Sequence, residues 1–392
     1  MNTLDFFTLR KMDTKDGARA GELRTPHGVV PTPVFLPVGS QGTVKTLTPA
    51  EVKGLGMNML LTNTYHLYLR PGISVIEKMG GLHKFMAWDG AILTDSGGYQ
   101  IFSLAPLRRI TDDGAVFRSH IDGSEHLITP EMAVRFQEEL GADIIMVLDE
   151  CPAHDASREK VQQAVQRTHR WAERCRETHR RDDQALYAIV QGGIFPELRR
   201  QSAEFLTSLD FPGYAIGGLS LGEPKKVTLS IIEETVALLP ENKPRYLMGV
   251  GSPEDIVAGV ARGIDIFDSV LPTRVARNGA LFTRRGRVNI RNAVFRQMDG
   301  PVDPDCACAT CRTFSAAYLH HLFNARELLA YRLATIHNLT FISRLMREIR
   351  SAIDDGTFPA FRDSFLADYR PVNEQVRLEQ KQKWLRRRDA NR

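Results

Sequence analysis

The chain has 392 residues, a formal net charge of +4, a quarter of its residues charged and 43% hydrophobic, a composition ordinary for a globular protein with a substantial core and divisible into one large domain or two to three smaller ones. The opening residues MNTLDFFTLRKMD lack the basic start, apolar stretch and cleavage site of a secretory leader, and the chain has no long uncharged apolar run, so neither export nor a membrane span is expected. Five cysteines, three of them in one cluster, suit reduced thiols in the cytosol better than a disulfide framework.

In chain order, apolar β-rich runs recur with helical patterns between them. They are GVVPTPVFLPVGS (28–40), MLLTN (59–63), AILTDSGG (91–98), DIIMVLDE (143–150), LYAIVQGG (186–193), GYAIGGLS (213–220), RYLMGVG (245–251) and IDIFDSV (264–270). Residues 129–140 and 157–179 have helical periodicity, the first entered through Thr-Pro-Glu. Eight such units predict an α/β fold, a (β/α)8 TIM barrel, with an open doubly wound sheet as the alternative; the latter needs a Gly-rich phosphate fingerprint that is missing here. Segment 104–128 breaks the alternation and reads as a hairpin insertion with Asp-Gly turns. After residue 300 the character changes to PVDPDCACATC, followed by helical patterns over 313–353. The expected divisions are 1–300 for the barrel with N-terminal and hairpin insertions, 301–350 for a zinc-binding subdomain, and 351–392 for a C-terminal helical segment with a basic tail at Arg386, Arg387 and Arg388.

Polar residues end several of the apolar runs. Asp95, Asp149, Gln191 and Asp268 fall where a barrel carries its active site, with glycines beside them that leave room for a ligand. Two strand-end aspartates, Asp95 and Asp268, suggest retaining glycosyl transfer, in which one carboxylate attacks the anomeric carbon and another group moves the leaving-group proton. Each aspartate singly reads as well as a turn or helix-cap residue. Cys306, Cys308 and Cys311, with the distant His337, make a complete tetrahedral ligand set for Zn²⁺, and ordinary buried thiols are the bland alternative.

Taken together, TDSGGYQ (94–100), LDEC (148–151), VQGG (190–193), GGLSLGE (217–223), LMGVG (247–251), FDSVLPTRVARNG (267–279) and CxCxxC with His337 closely resemble the bacterial tRNA-guanine transglycosylases, also called queuine tRNA-ribosyltransferases, nearly end to end. The resemblance implies replacement of the wobble guanine of GUN-anticodon tRNAs by a 7-deazaguanine. It implies Asp268 as nucleophile, Asp95 as general acid/base, and Tyr99 stacked on the base. Asp149, Gln191 and the backbone at Gly218 and Leu219 would read the purine edge, with Met248 as apolar lining. Cys151 and Leu221 fall on the pocket side, and Leu221, where valine is usual in bacteria and glycine in eukaryotes, leaves room for an aminomethyl group but not for queuine. The expected substrate is therefore 7-aminomethyl-7-deazaguanine. Glu223 would orient the Leu219–Ser220 peptide and store a proton.

Arg274 and Arg277, with Arg284, Arg285 and Arg287, would meet the anticodon loop and its phosphates. A structural zinc, one per subunit, is implied, and so is a homodimer through Phe314, Tyr318 and His321, which share one helical face; phenylalanine stands at 314 where tryptophan is frequent. The rival readings are a zinc-dependent barrel hydrolase and a non-catalytic tRNA-binding subunit. The first needs an open metal position at the strand ends, and the second is expected to lose Asp95 or Asp268.

Overall fold

The structure, a computed structural model, describes residues 6–104, 108–371 and 379; the basic run at 386–388 lies outside them. At its centre are eight short parallel strands: β1 (Val34–Pro37), β2 (Met59–Asn63), β3 (Ala91–Asp95), β4 (Ile144–Met146), β5 (Ala185–Val190), β6 (Gly213–Ile216), β7 (Arg245–Leu247) and β8 (Ile266–Ser269). They pair in the order β1-β8-β7-β6-β5-β4-β3-β2, and a Val38–Leu61 bridge brings the end of β1 back beside β2. The sheet thereby closes into a barrel with helices between its strands. Nearly every residue of these strands is buried, because one face fills the barrel interior and the other carries the helices.

The helices follow from local signals. Helix Pro130–Leu140 starts where the Thr129 side chain accepts from the Met132 N–H and stops at Gly141, whose φ of +72° is left-handed. In helix Arg158–Thr178, capped by Ser157, the buried positions Val161, Ala164, Val165, Thr168, Trp171, Ala172 and Cys175 recur at three- and four-residue spacing and form the face that packs inward.

Two regions differ from the sequence expectation. The run 28–40 does two jobs: Gly28–Thr32 is the edge strand of a three-stranded antiparallel sheet with Phe7–Met12 and Arg19–Thr25, and only Val34–Pro37 enters the barrel. An edge position tolerates Pro31, which has no N–H to donate. The insertion has three strands, Arg108–Ile110, Ala115–Arg118 and Glu125–Ile128, not the two of a single hairpin. Each of its two Asp-Gly pairs, at 113–114 and 122–123, turns the chain once. The N-terminal sheet is tied to the barrel by buried Arg19, whose guanidinium pairs with buried Asp265 just before β8 and donates to the carbonyls of Glu241 and Lys243.

Beyond β8 come helix Leu271–Arg277, a hairpin of Ala280–Thr283 with Gly286–Asn289, and helices Ala309–Thr313, Ala316–Ala325, Leu328–Asp354 and Phe358–Asp368. Helix Leu328–Asp354 spans two apolar cores. Ala330, Leu333 and Ala334 pack with the clustered cysteines in a small core, whereas Leu339, Ile342, Leu345 and Ile349 belong to the main one. Among the described residues, no helix is long and apolar enough to cross a membrane.

Candidate active site

The C-terminal ends of the strands bring three carboxylates into one electrostatic neighbourhood. Asp95 ends β3 beside its register partner Asn63 at the end of β2. Its carboxylate accepts from Asn63 Nδ2 at 2.5 Å, the Thr64 N–H at 2.9 Å and Gln100 Nε2 at 2.8 Å. Burial nevertheless pushes its pKa up to about 6, and the nearby charge of Asp268 adds to the rise. Asp149 lies just past β4 and accepts from Gln191 Nε2 at 2.7 Å. Burial pushes it to about 6 as well, with Asp95 contributing.

Asp268, near the end of β8, is held differently. The Tyr246 hydroxyl donates to its Oδ1 at 2.6 Å and the Gly249 N–H donates to the same oxygen at 2.7 Å. Burial raises its pKa against these two bonds. Tyr246 can reach it because β7 and β8 pair Tyr246 with Ile266, so Asp268, two residues on, points to the same side.

Gln191 directly follows β5, and Gly217–Gly218 directly follow β6. Gly218 has a φ of +68°, and a Cβ there would stand 2.5 Å from Gln191 Oε1, so the close approach of loop and amide requires glycine. That Oε1 is buried and has no hydrogen-bond partner among the described residues. Leu219 is buried, while Leu221 and Met248 are half-buried. Glu223 gathers the N–H groups of Ser220, Leu221 and Gly222 and the Thr228 hydroxyl. Burial opposes its charge, but these donors outweigh burial and hold it below the usual carboxylate range. The geometry is that of an ionised loop clasp. Tyr99 is exposed on the short helix Gly98–Leu104, and the Cys151 thiol is buried, its pKa pushed up by burial to about 12.

The arginines follow the Asp268 strand. Arg274 is exposed and Arg277 half-buried on helix Leu271–Arg277, and Arg284 and Arg285 are exposed at the turn of the following hairpin, with Arg287 half-buried beside them. Burial, together with the neighbouring Arg274, lowers the pKa of Arg277, and its Nη1 is buried with no partner among the described residues.

Cys306, Cys308, Cys311 and His337 converge in the small core. His337 Nδ1 lies 3.6, 3.6 and 3.3 Å from the three sulfurs. A tetrahedral zinc with ordinary bond lengths has N···S edges of roughly 3.5 Å, so the nitrogen stands at the distance from each sulfur that such a coordination shell requires. The other ring nitrogen, Nε2, lies 2.7 Å from the Phe282 carbonyl. Donation there leaves the Nδ1 lone pair facing the sulfurs.

A family model described as Queuine tRNA-ribosyltransferase matches residues 13–371. A curated Queuine tRNA-ribosyltransferase from Dehalococcoides mccartyi is 65% identical over 379 residues, 97% of each chain. One from Pelotomaculum thermopropionicum is 58% identical over 363 residues, 93% of this chain and 98% of its own, and one from Moorella thermoacetica is 56% identical over 363 residues, 93% and 97% of the two chains. The chain belongs to the queuine tRNA-ribosyltransferase family. It is an enzyme of the tRNA-guanine transglycosylase type, a pentosyltransferase.

Several residues of this candidate site in the transglycosylase carry no signal in the linear sequence. Tyr246, Asn63, Thr64 and Gln100 act through strand register and a turn that pairing alone reveals. Arg199 is another: fully buried on helix Pro196–Ser208, it donates to the carbonyls of Gly193 at 2.9 Å and Val190 at 2.8 Å and fixes the loop that carries Gln191. Burial lowers its pKa to about 10, while the Cys151 and Glu223 groups nearby favour its charge.

Proposed function

We propose that the enzyme exchanges the wobble guanine of GUN-anticodon tRNAs for 7-aminomethyl-7-deazaguanine, a step of queuosine biosynthesis, through a covalent ribosyl-aspartate. The observation that carries this reading is the environment of Asp268. Among the described residues, both of its hydrogen bonds end on Oδ1, which leaves Oδ2 to attack ribose C1′. As the new C1′–O bond forms, the glycosidic C1′–N bond breaks and the expelled guanine takes a proton from Asp95. A carboxyl with a pKa of about 6 can give a proton and take one back near neutrality. Asp95 then removes the ring N–H proton of the incoming base, whose nitrogen attacks C1′ and frees Asp268.

In this reading Asp149 accepts from the purine N1–H and exocyclic amine, and Tyr99 stacks on the ring. The second hydrogen of Gln191 Nε2 and the backbone at Gly218–Leu219 serve the carbonyl. Leu221, Cys151 and Met248 bound the pocket on the side of the 7-substituent, with Glu223 setting the Leu219–Ser220 peptide. Arg274, Arg277, Arg284, Arg285 and Arg287 bind the anticodon loop, delivering a splayed-out base to the barrel mouth. Zinc is the metal for the Cys₃His set, one per subunit; bound, it supplies no chemistry to the reaction and holds the 301–350 subdomain against the 1–300 barrel, followed by the segment 351–392. A cytosolic homodimer is built at that subdomain. Phe314 and Tyr318 stack at 5.3 Å between ring centroids with Tyr318 exposed, and Val294 and Leu328 are further exposed apolar side chains of the region.

The test is incorporation of radiolabelled guanine into a GUN-anticodon tRNA. The wild type incorporates label without net cleavage of the RNA, and Asp268→Asn does not. Exchange by Asp268→Asn at the wild-type rate sinks the nucleophile assignment. Failure of any label to enter tRNA with the wild type sinks the reaction.

A further inference from the structure

Asp95 is oriented by the residues that follow β2. Thr64 opens the short helix Thr64–Leu69; its N–H donates to Asp95 Oδ1 at 2.9 Å, and its hydroxyl donates to the Asp95 carbonyl at 2.5 Å. Asn63, one residue earlier, donates to Oδ2. The next residue, Tyr65, is fully buried, and its backbone lies against the loop beyond Asp95. A Cβ on Gly97, whose φ is +84°, would stand 3.2 Å from the Tyr65 nitrogen and 3.3 Å from the Tyr65 Cβ. Two of the groups that hold the Asp95 carboxylate therefore sit on the stretch of chain that Tyr65 fixes.

The Tyr65 side chain reaches the inserted sheet. Its hydroxyl is 2.9 Å from Nδ1 of His120, in the turn between Ala115–Arg118 and Glu125–Ile128, and its ring packs on Phe117 with centroids 5.4 Å apart. Burial pushes the phenol up to about 12, so the hydroxyl keeps its proton near neutrality. Tyr68, three residues on and on the same helical side, repeats the contact. Its hydroxyl is 3.0 Å from His126 Nδ1, and His126 Nε2 is 2.7 Å from the Ser124 hydroxyl.

A tether positions what it holds only if its far end is fixed. The first turn of the insertion is clamped to helix Arg158–Thr178: Trp171 Nε1 and Arg174 Nη1 donate to the Asp112 carbonyl at 2.8 and 2.9 Å, and Arg170 donates to the Asp112 carboxylate at 2.6 Å. Arg174 in turn donates to both carboxylate oxygens of Glu131 on helix Pro130–Leu140. The inserted sheet is thus gripped by the helices before and after β4, and itself grips the helix that follows β2.

We propose that Tyr65, braced by His120 of the insertion, is a positioning residue for the proton transfer, acting by holding Asn63 and Thr64 as donors to the Asp95 carboxylate. The inference rests on the acid/base role proposed for Asp95. Tyr65 acts through its two neighbours in the chain and not on the base. The donors on Asp95 work against burial, so a loosened helix weakens them and lets the carboxyl hold its proton to higher pH. The other ionisable groups that face Asp95 are Asp268 on β8, Asp149 beyond β4 and Tyr246 on β7, all carried by elements other than the tethered helix. His66, on that helix, lies near His120 and Lys45.

The experiment follows kcat for guanine incorporation against pH, with guanine affinity measured in parallel, for full-length Tyr65→Phe, His120→Leu, the double variant and Asp95→Asn. Tyr65→Phe keeps the ring and its packing and removes only the hydroxyl, so the fold survives. Its kcat is expected to fall about 3- to 10-fold, the worth of one ordinary hydrogen bond. The limb of the pH profile that reports Asp95 should move upward by roughly 0.3–1 unit, with guanine affinity unchanged. Because the two single substitutions remove one contact, the double variant should be no slower than the slower of them. A wild-type rate and profile in Tyr65→Phe overturns the inference. So does a slower enzyme whose profile has not moved, or one whose guanine affinity falls as far as its kcat, since either marks a merely structural loss. Exchange persisting in Asp95→Asn overturns the acid/base reading and this inference with it, whereas an inactive Asp95→Asn beside an unaffected Tyr65→Phe overturns the inference alone.

Discussion

Asp95 and Asp149 are both shifted upward to about 6 by burial, and this fixes the sign of two pH effects. A carboxyl whose folded pKa is raised holds its proton more tightly in the folded chain than in the unfolded one. Stability therefore falls as pH rises from the ordinary carboxylate range through about 6 and is recovered on acidification. Base binding runs the other way. A purine that donates two hydrogens to Asp149 needs it ionised, so guanine affinity is expected to increase through pH 6 and level off above 7. Calorimetric titration of guanine across this range checks the prediction, and an affinity flat from pH 5 to 7.5 contradicts it. Tyr246→Phe removes one donor from Asp268 Oδ1 without changing the packing volume. Losing a hydrogen bond to a charged group costs about 1.5–3 kcal/mol, so kcat for label incorporation should drop roughly 10- to 100-fold with guanine affinity unchanged. An equal loss in guanine affinity would assign Tyr246 to the base pocket instead.

At the scale of elements, loops and short helices beyond the strands divide the work. The clasp of three N–H groups on Glu223 makes the loop after β6 a rigid wall, and Leu221 is its half-buried outer residue. Leu221→Gly should admit a bulkier 7-substituent, read as improved queuine incorporation, and no improvement would remove the steric argument. Helix Leu271–Arg277 and the hairpin after it present arginines next to the strand that carries Asp268. Substituting Arg277 by alanine should weaken tRNA binding and lower its salt dependence while free guanine still binds, a split that titration of each ligand resolves. The insertion at 104–128 shows how far a linear reading reaches. Its Asp-Gly turns are visible in the chain, but the third strand is defined only by pairing, and the N-terminal sheet, with a proline in its edge strand, has no clean alternation to announce it.

For the whole molecule, two tertiary ties dominate. Arg19 and Asp265 are both fully buried, so removing Arg19 strands a carboxylate in the core. Arg19→Ala should cost about 3–5 kcal/mol, measured by denaturant unfolding, and a loss below 1 kcal/mol would mean that the pair matters little. Helix Leu328–Asp354 carries His337 and joins the small core to the main one. Chelating the metal proposed for the Cys₃His set is therefore expected to abolish tRNA binding or dimerisation first, while guanine binding around Asp149 survives; simultaneous loss of both would make the metal a support of the barrel itself.

The sequence by itself determined the repeating strand–helix order, the polar residues at the strand ends and the tetrahedral donor set, because each depends on residue type and local spacing. Eight apolar runs, several of them ending in Asp, Gln or Gly pairs, need no tertiary knowledge to suggest a barrel with its chemistry at one end. Only the tertiary structure decided which groups tune that chemistry. Tyr246 meets Asp268 through the β7–β8 register, Asn63 meets Asp95 through β2–β3, and Arg199 reaches back beneath the Gln191 loop from a helix. Strand register and helix packing are set by the simultaneous burial of many side chains, so contacts that depend on them have no signature at any one stretch of chain.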